Sequence, residues 1–177
     1  MITKANSFPL RFGLTFIVAF AILTGAFEAS RGSAFERFVV EDMLLMPTNR
    51  VINFLSPQDH VELKGRSFVS GAYKMRVIRG CEGVEMFLLL SAAIIAFPAT
   101  MARRLRGLAI GFVLAYALSV ARLTALVYTL RHAPDAWESL HGLILPLAPV
   151  IAIACYFLLW SASSGGQNRA ARTADAA

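Results

Sequence analysis

Four stretches of the chain are apolar for long enough to leave water. Residues 12–27, 84–101, 107–130 and 141–162 each approach the ~20 residues that a helix needs to cross a hydrocarbon layer. They predict four transmembrane helices. Between the first two lies the one long polar segment, residues 28–83. Within it Phe35, Phe38, Val39 and Met43 recur at helical spacing, with Glu36, Arg37, Glu41 and Asp42 between them. That pattern predicts an amphipathic helix on the bilayer surface, ended by Pro47. Residues 51–55 predict a second short turn, stopped by Pro57. Alternation at Val61, Glu62, Leu63 and Lys64, and again from Tyr73 to Val77, predicts a small β-hairpin punctuated by Gly65 and Gly71. Two strands do not hold alone in water, so the hairpin must rest on the bundle or the membrane. Residues 163–177 are small and polar and are expected to be disordered. The fold class is an all-α polytopic membrane protein: one integral membrane domain over residues 1–177, with an outer amphipathic segment and a small hairpin.

Composition sharpens this picture. The chain is 57% hydrophobic and 16% charged, with 17 Lys and Arg against 11 Asp and Glu. Short loops turn the excess into topology. Arg103, Arg104 and Arg106, with no acid among them, mark a cytoplasmic loop, and Lys4, Arg11, Arg169 and Arg172 agree. Residues 28–83 and 131–140 then lie outside. No basic stretch interleaved with aromatics occurs in a polar segment, so nucleic acid is not an expected partner; the lipid bilayer is. The first apolar run has the look of a signal peptide, but Glu28, Ala29, Ser30 and Arg31 offer no clean small-x-small cleavage site. An uncleaved helix is expected.

Cys81 stands where the predicted hairpin hands over to the second helix. The positive end of a helix dipole, with Arg79 nearby, favours thiolate over thiol, and the thiolate is the nucleophile. A packed, inert cysteine fits the same position. The other cysteine, Cys155, falls roughly 21 Å into the last apolar run, too far in depth to bridge to Cys81. No C-x-x-C pair occurs, which disfavours a thiol redox protein. Arg122 lies in the otherwise apolar or small stretch 116–130. A central arginine costs about 2.5–3.5 kcal/mol to insert, so it should face the bundle interior, with Ser119 one turn below it. Snorkelling or pairing with Glu85 is the structural alternative. His141 opens the fourth helix on the outer side; His132 competes with it, and His60 lies further off. Short loops set helices two to four side by side, so Cys81, Arg122 and His141 can share one pocket. They would serve as nucleophile, oxyanion ligand and proton carrier of an acyl transfer. HExxH and GxSxG patterns are absent, and no metal or cofactor is expected. A non-enzymatic membrane scaffold is the alternative from another class.

Residues 61–83, ending Val77, Ile78, Arg79, Gly80, Cys81, Glu82, Gly83, resemble the strand and Cys-x-Gly segment of the exosortase/archaeosortase family. Ser119 to Leu123 is similar to that family's arginine helix, and Leu140, His141 and Gly142 to its third site. The resemblance covers roughly residues 50–162, in a compact form such as the exosortase H type. It implies a multipass cysteine protease/transpeptidase of the bacterial inner membrane with its active site on the outer face. Its partners would be exported proteins with a C-terminal sorting signal: a short motif, a membrane helix and a basic tail. Cys81, Arg122 and His141 become the implied catalytic residues, with Ser119, Arg79 and His132 as substrate-binding candidates. Two positions depart from the family's pattern. Ser119 stands where Asn is frequent, and Glu82 where a small polar residue is usual.

Overall fold

A computed structural model describes residues 7–174 except Ala72, Arg79 and Cys81, with side chains from Pro9 to Ser163. Four long apolar helices form the bundle: α1 (Ser7–Ala29), α4 (Val84–Ala96), α5 (Met101–His132) and α7 (Leu145–Ala174). Among the described residues, three spans are long and apolar enough to cross a membrane: Pro9–Ala29, Met101–His132 and Pro134–Ser163. The chain is thus an all-α polytopic membrane protein with a small sheet.

The second predicted helix is shorter than its apolar run. α4 has 13 residues, about 20 Å. Pro98 removes a donor and biases Phe97 away from helix. Residues 97–100 are not helical, with extended dihedrals at Phe97 and Thr100. Arg104 donates to the freed carbonyl of Phe97 at 3.0 Å. The arginines at 103–106, expected in a loop, therefore form the first turns of α5. That helix runs 32 residues, about 48 Å, well beyond the hydrocarbon thickness.

The inner half of α5 packs through two glycines one turn apart. A Cβ on Gly107 would stand 2.6 Å from the Trp160 indole nitrogen, and one on Gly111 would overlap Leu90. Their absence lets α7 and α4 approach closely, as small residues do between membrane helices. Tyr156 donates its hydroxyl to the Gly107 carbonyl at 2.7 Å. Met86, Leu90, Ile94, Ala115 and Ile153 fill the core there.

The outer half of α5 serves a second core. Leu123 and Leu126 pack with Val40, Leu44, Leu45, Ile52, Val61, Phe68, Met75 and Val77 from the segment between α1 and α4. That segment departs from expectation in three ways. Pro47 does not end the amphipathic helix: α2 (Ala34–Arg37), a π-helical stretch (Phe38–Leu45) and α3 (Met46–Leu55) run on continuously. The Met46 N–H reaches back five residues to Glu41, and this widened turn makes room for the proline ring. The same widening rotates the buried face. Phe35 and Phe38 are 58% and 54% exposed, while Val40, Leu44 and Leu45 are buried. Finally, the hairpin has a third, central strand. β1 (Glu62–Lys64), β2 (Ser67–Ser70) and β3 (Tyr73–Arg76) form an antiparallel sheet with Leu63 opposite Phe68 and Phe68 opposite Met75. Ser67, Phe68 and Ser70 are all buried, so β2 lacks the alternation that marks a one-sided strand. Asn53 ties α3 to the sheet through two hydrogen bonds with the Val61 backbone, at 2.8 and 2.9 Å.

Past Ser163 the backbone of α7 stays helical to Ala174, through the stretch expected to be disordered. Propagating an existing helix avoids the nucleation cost, and Gln167, Arg169, Ala170, Ala171 and Arg172 favour it.

Gly107→Ala should lower thermal stability in detergent by roughly 1–3 kcal/mol, because the indole of Trp160 must move. Wild-type melting behaviour in this variant would show that the glycine contact is not close in solution.

Candidate functional site

Gly83 fixes the depth at which α4 begins. It caps the helix at φ 79, in the left-handed region. A side chain there would run into the Ser119 hydroxyl of α5. Ser119 in turn donates to the Ala115 carbonyl at 2.8 Å. The start of α4 and the Ser119 turn of α5 thus lie at one level. Arg122 is one turn further out, about 15 Å from the His132 end of its helix. It stands about one turn beyond the level at which α4 begins.

Arg122 is 8% exposed. Its Nε is buried without a hydrogen-bond partner among the described residues. The expected alternative, an ion pair with Glu85, is not among the salt bridges of those residues. The other buried charged side chains, Glu36, Asp59 and Glu82, all hold ion pairs.

His141 lies in the π-helical turn Leu140–Ile144, between the short α6 (Trp137–Ser139) and α7. This turn packs against α5. The imidazole is half-buried and stacks on Trp137, with centroids 5.0 Å apart and planes 6° apart. Its Nδ1 is buried and without a partner among the described residues. His132 is placed differently. Its Nε2 is 3.5 Å from Asp59 Oδ2, and its ring lies 4.3 Å from that of Tyr128. Arg131 binds the same carboxylate at 2.8 Å and donates to Ser70 Oγ at 2.8 Å. His132 therefore belongs to a latch between α5 and the sheet. His60 is exposed, in a left-handed turn. Cys155 is exposed midway along α7. Cys81 and Arg79 lie outside the described residues.

Cys81 is bonded to Glu82, and Glu82 is the residue whose role sequence analysis missed. Its side chain is 0% exposed. Arg31, just past α1, holds Glu82 Oε2 at 3.1 Å. Arg66, from the β1–β2 turn, holds Oε1 at 3.4 Å. Both arginines also hold Glu36 Oε1, at 3.1 and 3.0 Å. Glu28 and Glu41 complete the network on its exposed side. Burial pushes the Glu82 carboxyl up, and the charge of Arg31 opposes this. The hydrogen bond to Glu28 leads those that raise Arg31. Glu36 is held down to about 2, first by the Gly32 N–H at 2.6 Å and then by Arg66 and Arg31. These partners lie up to 51 residues apart. The one sequence signal was the departure of Glu82 itself from the resembled pattern.

An apolar recess of about 270 Å³ opens beside Glu82, Gly83 and Ser119, walled by Phe27, Phe87 and Tyr116. Of the candidate site residues, the recess takes in Ser119; Arg122 and His141 are not part of its lining.

Two outcomes follow. A carboxylate with a lowered pKa stabilises the fold above the unfolded value of 4.5 and stops doing so as pH falls toward about 2. Glu36 should thus stabilise the fold at neutral pH and cease to do so in acid. Melting of the wild type in detergent should fall across that window, and Glu36→Gln should flatten the fall; equal slopes would exclude the ion pairs. Gly83→Ala meets both Ser119 and a positive φ, and should cost about 1–2 kcal/mol or more. Protein level and melting temperature check this, and an unchanged variant would contradict the close contact.

A family model described as transmembrane exosortase (Exosortase_EpsH) matches residues 48–161. No curated protein and no solved structure gives a significant match. The matched region holds the sheet, the segment before α4, all of α5 and the His141 turn, and it spans well over half of the 177 residues. The chain belongs to the transmembrane exosortase family.

Proposed function

We propose that the protein is a membrane cysteine protease/transpeptidase that cleaves C-terminal sorting signals of exported proteins. It would sit in the bacterial inner membrane, with the arginine-bearing start of α5 in the cytoplasm and the site facing out. The observation that carries this reading is Arg122: a buried guanidinium, in a family of exosortases, with no ion pair to a described residue. A structural arginine at this depth would be matched to an acid.

The chemistry runs as an acyl transfer. The Cys81 thiolate attacks the scissile carbonyl, forming a C–S bond while the carbonyl π pair moves to oxygen. Arg122 donates to that oxyanion. Collapse of the intermediate expels the amine, which takes its proton from His141, and leaves a thioester on Cys81. Water or an amine then attacks the thioester, giving its proton to His141 and releasing the thiolate. The Trp137 face holds the imidazole plane. Ser119, Arg79 and the recess beside Gly83 are substrate-positioning candidates. His132, committed to Asp59, is the weaker candidate for the proton carrier.

Processing of a sorting-signal substrate in cells, read as a mobility shift at matched enzyme levels, tests this. Cys81→Ala should abolish cleavage, and His141→Ala should cut it about 10²–10⁴-fold. Arg122→Lys, which keeps the charge and loses the planar fork, should cut it about 10²–10³-fold. His132→Ala should leave most turnover and lower stability. Cleavage by Cys81→Ala would sink the mechanism, and a dead His132→Ala beside an active His141→Ala would reverse the histidine assignment.

A further inference from the structure

The charges of the chain are unevenly shared. Residues 28–85 and 122–138 carry ten basic and ten acidic residues, so that set is neutral. The remaining seven basic residues, Arg103, Arg104 and Arg106 among them, stand against Asp175 alone and account for the whole net charge of +6. A polar cavity of about 390 Å³ opens among those arginines, where the Met101–His132 span begins and the Pro134–Ser163 span ends. Thr100, Ala102, Arg103, Arg106, Trp160 and Ser163 line it. Two spans that end at one level mark the layer of lipid headgroups, and tryptophan is a residue type enriched there. Arg103 braces one wall: it donates to the Trp160 carbonyl at 2.7 Å and to Ser163 Oγ at 2.6 Å, with its guanidinium 5.5 Å from the Trp160 ring centroid. Arg106 is exposed and enters none of the ion pairs among the described residues.

We propose that this cavity binds the headgroup of an anionic phospholipid, with the phosphate between Arg103 and Arg106 and the headgroup hydroxyls toward Thr100 and Ser163. Basic pockets between membrane helices recognise such headgroups by charge and hydrogen bonding together. The occupant is a lipid and not a free anion because apolar side chains accompany the charges. Met101, Leu105 and Leu159 are exposed beside them in sequence, at 70%, 58% and 73%, and offer acyl chains a surface. The site stands apart from the acyl-transfer reading, since it shares no residue with it.

Native mass spectrometry of the full chain in detergent micelles tests this, with phosphatidylglycerol and phosphatidylcholine added in equal amounts. The wild type should retain phosphatidylglycerol about tenfold or more over phosphatidylcholine, and R106Q should cut that retention about fivefold. A102W, which fills the cavity without changing its charge, should cut it as strongly. R76Q removes an exposed cation from the sheet instead and should change nothing. Inorganic phosphate at millimolar concentration should not displace the lipid. Equal retention of the two lipids, wild-type retention by R106Q, or an equal loss in R76Q overturns the proposal. Displacement by phosphate overturns the lipid as occupant. A loss in R106Q beside wild-type retention in A102W also overturns it, because the preference then comes from surface charge and not from the cavity. Where A102W fails to accumulate, the contrast between R106Q and R76Q carries the test.

Discussion

A carboxylate with no exposure to solvent sits where the outer segment turns into α4, and much of the architecture is arranged to keep it paired. Glu82 accepts from Arg31 at 3.1 Å and from Arg66 at 3.4 Å. One arginine ends the first membrane helix; the other sits in a β-turn. Glu36, at the start of the outer helix, joins both. Three separate parts of the chain are therefore pinned at one point. Such networks add little net stability against an apolar replacement, but they are costly to break one member at a time. Their value here is in register: α1, the sheet and the start of α4 cannot slide independently.

That pin defines the frame in which α5 works. Its inner half is a membrane helix, with Gly107 and Gly111 admitting Trp160, Tyr156 and Leu90. Its outer half is the central rod of a compact outer unit, with Leu123 and Leu126 buried among residues of the helices and sheet. The change of partner falls between Ser119, which meets Gly83, and Leu123. Arg122 lies in that interval. A guanidinium there is shielded by protein and lies about one turn beyond the level at which α4 begins.

The membrane helices were legible because burial in lipid leaves long unbroken apolar runs, and the position of Arg122 was legible because it interrupts one. The fine boundaries were less so. Apolarity runs through Pro98 while helix does not, so α4 was read too long. A 3.6-residue spacing was imposed on a stretch that turns more widely, so Phe35 and Phe38 were assigned to a face they do not bury. The central strand was missed because both of its faces are covered and the alternation is gone. Residue type and helix order singled out His141 and Arg122 as candidates. The Glu82 clamp did not, since no local pattern links Arg31, Arg66 and Glu82 across a fold.

The buried charged groups differ in what holds them. The three buried acids are each committed to an ion pair. Glu82 and Glu36 go to Arg31 and Arg66; Asp59 goes to Arg131 and His132. Arg122 receives none among the described residues, and neither its Nε nor the Nδ1 of His141 finds a hydrogen bond there. A buried polar atom left unbonded costs about 1–3 kcal/mol, and more when charged. His132, nine residues before His141, instead approaches Asp59 at 3.5 Å. Under the proposed acyl transfer, a carbonyl that gains negative charge as it reacts would repay the cost at Arg122, and a departing amine would repay it at the imidazole.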